Sequence, residues 1–526
     1  MHQEMTTLDF LDRGVDLYGD AVGVVAHDGT EYTYAEFGER VDRAAAALSE
    51  LGIEKGDRVA LLSPNTHWFL ETLFAINTLG AISAPLNYRV LAEDYAYMLD
   101  DCGAQAVIAD HEYAEKIEAI RDRVPATSFI ANPADRVDGD WQDYESLLAD
   151  AEPDEVERPD ISEDDPATIN YTSGTTGDPK GVVRTHRTEH YHALIAAHHT
   201  DISDDDAYLW TLPMFHVNGW GYPYIITGVG GKHVCQRHFD SGAAFERIHA
   251  HDVTYLCGAP TVLEEMVDQY QTNDIAPTGD KPVRIATAAS PPPEATIRTV
   301  EDELGWDILH VYGLTETGPL ITTSNSPRRI ASEGRFAVKT RQGNAMLGTE
   351  VRVVDQDGED VPPDDETMGE IIVRGNQVMD RYWNKPERTR EAFSSRVDGW
   401  FHTGDIATID EHKMISIKDR KKDVIISGGE NISSVEVEDA LYDHPDIERV
   451  AVIGVPHEKW GETPKAIVVP ATGAELTEGE VIEFARNNLA HFKCPTVVEF
   501  VDSLPETSTG KVRKTELREA HGDPVE

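Results

Sequence analysis

One short stretch, Tyr171-Thr-Ser-Gly-Thr-Thr-Gly-Asp-Pro-Lys-Gly-Val182, limits the folds open to this chain more than any other. It follows directly on the apolar run Ala167–Ile169 and concentrates hydroxyls, glycines and a lysine in one segment. Glycines let successive backbone N–H groups converge on one point, and such a concavity binds anions. Thr172, Ser173, Thr175 and Thr176 add donors, Gly174 and Gly177 add backbone freedom, and Lys180 adds a compact charge suited to a polyphosphate. No Gly-x-x-x-x-Gly-Lys-Ser/Thr spacing can be drawn from Gly174 onward, so the loop is built for ATP phosphates but not on the P-loop NTPase plan.

At 526 residues the chain exceeds one ordinary hydrophobic core and is expected to divide into two or more domains. No uncharged apolar run reaches the length of a membrane span, and the start carries Glu4, Asp9 and Asp12 in place of a signal peptide. Cys102, Cys235, Cys257 and Cys494 lie far apart without ligand spacing, as expected of reduced thiols in a cytoplasm. The 96 acidic residues against 46 basic ones leave a net charge of −50, spread along the chain. Self-repulsion of that size disfavours a compact state unless salt screens it, and at molar salt the screening length falls to about 3 Å. The composition therefore predicts a protein of a salt-accumulating cytoplasm, with nucleic acid and anionic membranes as poor partners.

Strand-like apolar runs alternate with helical patterns. Arg58–Leu62, a helix from Thr66, Ala81–Leu86, a helix near Ala92–Leu99 and Ala106–Ala109 give the βαβ rhythm of a mostly parallel sheet. A second alternating block runs from Tyr208 to Leu309, and Thr349–Arg374 changes to a small β-rich subdomain turning at Gln356-Asp357-Gly358. After Asp419 come a helix (Ser434–Tyr442), a hairpin (Arg449–Val455 with Lys465–Val469), a helix (Glu478–Leu489) and a strand (Val497–Val501). The expected fold is α/β: a large N-terminal domain of stacked βα sheets with a β-rich subdomain, residues 1–419, then a small α+β domain, residues 420–526.

Four constellations accompany the phosphate loop. His310-Val-Tyr312-Gly313-Leu-Thr315-Glu316 offers a ring to stack on a base, a hydroxyl for phosphate and a carboxylate for Mg²⁺. Trp400-Phe-His-Thr-Gly-Asp405 ends in an acceptor-only group that suits a ribose diol. Ile417–Asp423 offers the fixed donor fork of Arg420, and Pro505–Lys511 places a lysine after a hydroxyl-rich turn.

With these motifs in this order, the whole chain resembles the adenylate-forming superfamily of acyl-CoA synthetases, luciferases and peptide-synthetase adenylation domains. Pro213-Met-Phe-His216-Val-Asn-Gly-Trp220 and Ser427-Gly-Gly-Glu-Asn-Ile-Ser-Ser-Val-Glu-Val-Glu438 look most like medium-chain acyl-CoA ligases and plant acyl-activating enzymes. The resemblance implies a carboxylate attacking ATP to give acyl-adenylate, then CoA displacing AMP. It makes Lys511, Thr315, Glu316 and His216 the catalytic set, with Mg²⁺ on Glu316. ATP would be held by Thr172, Ser173, Gly174, Thr175, Thr176, Gly177, Lys180, His310, Tyr312, Gly313, Thr315, Asp405, Arg420 and Lys511. CoA would pass Gly428, Gly429 and Glu430 after rotation of the mobile C-terminal domain about Lys422. Trp220, Ala288, Ala289 and Gly313 would line the acyl pocket, with Val217, Asn218, Gly219, Tyr222 and Ser290 beside them.

The absence of charge among those walls favours an apolar acid over an amino acid, and the Ala288-Ala289 methyls favour a medium or short fatty acid. An aryl or long-chain acid, or an adenylating enzyme that makes no CoA ester, are the alternatives. Monomer and homodimer both fit the sequence. The helix histidines His186, His190, His192, His198 and His199 include one four-residue spacing but none of the company of a zinc site.

Overall fold

The computed structural model describes residues 3–153, 157–172, 178–288, 291–325, 334–394, 397–428, 430–506 and 512–525. Ser173–Gly177, Ala289, Ser290, Gly429 and Lys511 lie outside them. The chain divides into two compact units: the described residues of Met1–Thr172, Pro179–Val351 and Val373–Phe401, and those of Ser173–Asp178, Arg352–Ile372 and His402–Glu526.

The first unit carries two large, mostly parallel sheets. One places Arg58–Leu62, Ile82–Pro85, Ala106–Asp110 and Ser128–Asn132 side by side in parallel. Pro166–Thr172 continues this sheet parallel to Ile82–Pro85, and Lys180–Thr185 then folds back antiparallel, with Thr172 opposite Lys180. The short strand Arg381–Tyr382 closes that edge, with Tyr382 opposite Val182. The other sheet runs through Ala207–Leu209, Tyr255–Gly258, Arg284–Thr287 and Asp307–Gly313 in parallel register. Helix His67–Thr78 shows why so apolar a segment folds as it does. Every one of its residues is buried, as expected of a helix without a polar face. Thr66 caps its start by accepting from the Phe69 N–H, the Thr72 and Thr78 hydroxyls donate to carbonyls one turn back, and buried Glu71 is matched by Arg40 at 2.6 Å.

A four-stranded sheet, most of it in the second unit, runs in the order Thr349–Val354, Gly369–Gly375, Phe401–Ile409, Ile415–Arg420. The C-terminal sheet is built on the long hairpin Ile447–His457 with Gly461–Pro470, flanked by Ile425–Ser427 and Val497–Phe500. Helices Ser434–Tyr442 and Glu478–Asn488 pack on it through Val437, Leu441, Val481 and Ala485. The βα rhythm, the β-rich segment and the C-terminal α+β unit expected from sequence are all present. The hairpin is longer than its apolar pattern suggested, and the closing helix Lys514–His521 carried no clear sequence signal. Among the described residues no helix is long and apolar enough to cross a membrane, and all four cysteines are buried and unpaired.

Candidate active site

Ligands of open α/β sheets gather outside the carboxyl ends of parallel strands, and the predicted residues of the first unit collect there. Tyr312 and Gly313 end the strand Asp307–Gly313, Ala288 follows Arg284–Thr287, and Thr315 and Glu316 sit half-buried in the 3₁₀ turn Thr315–Thr317. The Thr317 hydroxyl shapes that turn, receiving the Leu314 N–H at 2.8 Å and donating to the Pro319 carbonyl at 2.7 Å. Gly313 is obligatory, because a Cβ there would stand 1.6 Å from the Pro319 oxygen.

The two ends of the phosphate segment are fixed by the antiparallel pairing of Thr172 with Lys180. Lys180 reaches the edge strand: its Nζ lies 3.4 Å from the Tyr382 hydroxyl and 4.5 Å from the ring centroid. That hydroxyl in turn donates to Glu316 Oε1 at 2.8 Å, while the Met379 N–H holds the Glu316 carbonyl at 2.8 Å. Burial first, and the Glu316 charge second, push the Tyr382 phenol up, so it remains a donor. Lysine, phenol and carboxylate therefore form one chain from the phosphate segment to the 3₁₀ turn. Sequence reading placed Lys180 and Glu316 but missed Tyr382, whose role depends on an edge pairing that no local pattern announces.

His310 is buried, as the predicted ligands Tyr312 and Asp405 also are. It is only 2 % exposed, and its strand is fixed by paired bonds with Ser324 (His310 N–H to Oγ at 3.0 Å, Ser324 N–H to the His310 carbonyl at 2.8 Å). Burial lowers its pKa to about 4 against the nearby carbonyls of Lys339, Arg341 and Thr340, so the imidazole is neutral near pH 7.

His216 is exposed and opens an unusual turn. Five successive residues have positive φ: Val217 (48°), Asn218 (50°), Gly219 (56°), Trp220 (58°) and Gly221 (78°). Left-handed backbone disfavours each residue with a Cβ by about 1–2 kcal/mol, most severely a β-branched one such as Val217. Packing and hydrogen bonds must hold the turn. Trp210 lies against Gly219, Trp220 is buried, and the Tyr222 ring stacks on Tyr208 at 4.7 Å. The Asn218 amide turns into the interior, donating to Glu189 Oε1 at 2.8 Å and accepting from Asn170 at 3.0 Å and Thr168 at 3.2 Å. Glu189 is paired at 2.6 Å with Arg184, and both side chains are fully buried. This buried pair was absent from the sequence reading.

The helix histidines serve separate structural ends. His186 meets Thr7, His190 the Thr6 carbonyl, His192 the Leu320 N–H and His199 the Leu347 N–H. They do not converge on one point.

In the second unit, Asp405 and Arg420 face each other across adjacent strands, Arg420 Nε 2.8 Å from Asp405 Oδ1. Asp405 is buried and Arg420 nearly half-exposed. Behind them Glu370 receives Lys421 at 2.9 Å and lies 3.2 Å from His402 Nδ1. Burial works against the Glu370 carboxylate, but the His402 and Lys421 contacts outweigh it and hold the pKa down, to about 2. Lys422 is exposed as a residue, and partial burial of its charge lowers its pKa, as do neighbouring Arg518 and Arg420, against the opposing charge of Asp423. Gly428 has φ +62° and donates its N–H to the Trp460 carbonyl at 2.8 Å, in the turn before exposed Glu430.

Residues 11–383 match the family model described as AMP-binding enzyme, and residues 436–511 that of the AMP-binding enzyme C-terminal domain. The chain is 40% identical over 535 residues to a probable peroxisomal acyl-activating enzyme 5 of Arabidopsis thaliana, covering 98% of this chain and 95% of that one. It is 39% identical over 534 residues to a 2-methylpropanoate–CoA ligase of Humulus lupulus, with 98% and 95% covered. The solved structure of ATP-bound MatB from Rhodopseudomonas palustris matches with a TM-score of 0.85 at 30% identity, over 98% of this chain and 99% of that one.

Proposed function

Because this chain belongs to the AMP-binding enzyme family, we propose that it activates a short- or medium-chain fatty acid. It is an adenylate-forming acid–CoA ligase. A carboxylate oxygen attacks the α-phosphorus of ATP, and the bond to the bridging oxygen breaks to release pyrophosphate. The thiol sulfur of CoA then attacks the acyl carbon, and AMP leaves.

The observation that carries the ATP side is the chain Lys180–Tyr382–Glu316. A carboxylate approaching a polyanion needs positive charge more than it needs a base, and preorganised charge is usually the largest catalytic term. Lys180, with Thr172 at the opposite mouth of the segment, would meet the outer phosphates, and Tyr382 keeps the lysine and Glu316 at fixed separation. A half-buried carboxylate beside the Thr315 hydroxyl is an all-oxygen set of the kind Mg²⁺ takes. Glu316 would hold the ion, whose contribution is to neutralise the leaving pyrophosphate. Tyr312 would stack on the base, Asp405 and Arg420 would take the ribose, and Lys511 would stand between carboxylate and α-phosphate. For thioester formation, residues 420–526 would turn about Lys422 to bring Gly428, Gly429 and Glu430 to the pantetheine.

The acid reading rests on the apolar walls Trp220, Ala288 and Gly313. The carboxylate buried nearby, Glu189, is already matched by Arg184 and is not available to an ammonium group. Among the relatives, the hop enzyme is named for a short branched acid. The net charge of −50 supports a salt-rich cytoplasm as the working medium, with the enzyme as monomer or homodimer.

The test is release of AMP and pyrophosphate with a panel of acids, with and without CoA, in molar KCl and again after dialysis to low salt. Short and medium straight or branched acids should lead, thioester should form only with CoA, and both activity and circular dichroism should fall without salt. Preference for aryl acids, or turnover without a thioester product, would overturn the substrate reading; full stability without salt would overturn the halophilic one.

A further inference from the structure

We propose that Asn218 is a positioning residue for the acid substrate, holding the turn that carries His216 and Trp220 against the strand that feeds the phosphate segment. The inference rests on the acid site lying on that turn, as proposed above.

The backbone of residues 217–221 is held in a conformation that L-residues avoid, and such outliers persist only where their surroundings over-determine them. Asn218 sits at the second position of the turn with its side chain wholly buried. Its oxygen accepts from Thr168 and Asn170, both on Pro166–Thr172, so the turn is tied to the strand that enters the phosphate segment. Its nitrogen donates to Glu189 Oε1, the same oxygen that receives Arg184 Nε at 2.6 Å. Arg184 stands on Lys180–Thr185, the strand leaving the phosphate segment, and donates onward to the Gln377 carbonyl at 3.3 Å. Gln377 is two residues before Met379 and five before Tyr382, the two residues that hold Glu316.

One amide therefore joins the acid-side turn to both strands of the phosphate hairpin. A carboxylate must meet the α-phosphate in line, and misplacement by about 1 Å can lower the rate roughly a hundredfold. A turn this strained has no local reason to stay where the acid needs it. Asn218 supplies the long-range one, and the Glu189–Arg184 pair is its rigid anchor, because neither charge can leave its partner without being stranded in the interior.

Asn218→Gly separates positioning from folding. Glycine takes positive φ without strain, so the backbone can keep its path, the Glu189–Arg184 pair stays intact, and only the amide is lost. The full-length enzyme should still melt cooperatively, at a temperature lowered by the buried Thr168 and Asn170 donors left without the amide. Its ATP KM should stay within about twofold, while the KM for its best acid rises at least about tenfold. Asn218→Asp, which keeps the acceptor but sets a carboxylate against Glu189, should be worse than glycine in the same direction. If the aspartate chain fails to fold, the glycine result decides alone. An acid KM within twofold of the parent in Asn218→Gly would overturn the proposal. So would acid and ATP KM values rising together by the same factor, which is the signature of a merely structural residue. A parent enzyme inert toward every acid with ATP and CoA would instead overturn the functional reading, and this inference with it.

Discussion

The proposed phosphate side and the proposed acid side of this site are built on opposite principles. On the phosphate side, half-buried Lys180 and Glu316 are joined through buried Tyr382, and the three are fixed by ordinary strand pairing and a 3₁₀ turn. On the acid side, a left-handed turn is held by a fully buried ion pair and an amide that spends all its hydrogen bonds inside. Charge near solvent can be altered at little expense to folding, whereas a buried pair that loses one member strands the other. Function and stability are thus separable on the phosphate side and entangled on the acid side.

That contrast breaks most sharply with Glu189→Gln. The substitution keeps the shape and an acceptor for Asn218 but leaves Arg184 buried without its counter-charge, and should destabilise the fold by about 3–5 kcal/mol. Lys180→Met should change stability by less than about 0.5 kcal/mol while raising the ATP KM strongly. Thermal melts beside ATP kinetics decide it; equal loss of stability in both variants would erase the distinction.

Tyr382→Phe should have a smaller effect. It removes one hydrogen bond to Glu316 and leaves the ring under Lys180, so adenylation should slow by about tenfold or less, a net effect of about 1 kcal/mol, with a raised Mg²⁺ requirement. Pyrophosphate exchange titrated with Mg²⁺ measures this, and an unchanged titration would remove the phenol from the chain.

An effect confined to acid pH is expected away from both sides, at Glu370. Its pKa falls from the ordinary 4.5 to about 2 in the folded protein, so the unfolded chain binds the extra proton between those values. The stability it contributes is complete above about pH 4.5 and is lost as pH falls toward 2. Glu370→Gln should flatten the acid limb of a stability profile in that window alone. A limb of unchanged slope would show that the His402 and Lys421 contacts do not bias its titration.

How much of this was legible in the sequence follows the same division. The phosphate side was read from contiguous residues, because a glycine-rich segment after an apolar strand and a Thr-Glu turn carry their chemistry locally. Only Tyr382 escaped, since its place opposite Val182 is set by a pairing across some two hundred residues. On the acid side His216 and Trp220 were marked by their neighbours in sequence, but the left-handed path was not: Val217 and Trp220 are poor candidates for positive φ, and only tertiary contacts override that preference. Arg184 and Glu189 belong to none of the sequence motifs, and nothing local says they are buried. His310 lies on the same face of the strand Asp307–Gly313 as Tyr312, two residues on, and both are buried.

The central claim is that the acid's own oxygen attacks the α-phosphorus. Its most direct test is one turnover with a short-chain acid labelled with heavy oxygen in the carboxylate, in the presence of ATP and CoA. One labelled oxygen should appear in the AMP released and none in the pyrophosphate. Label in the pyrophosphate or in free phosphate, with unlabelled AMP, would contradict it.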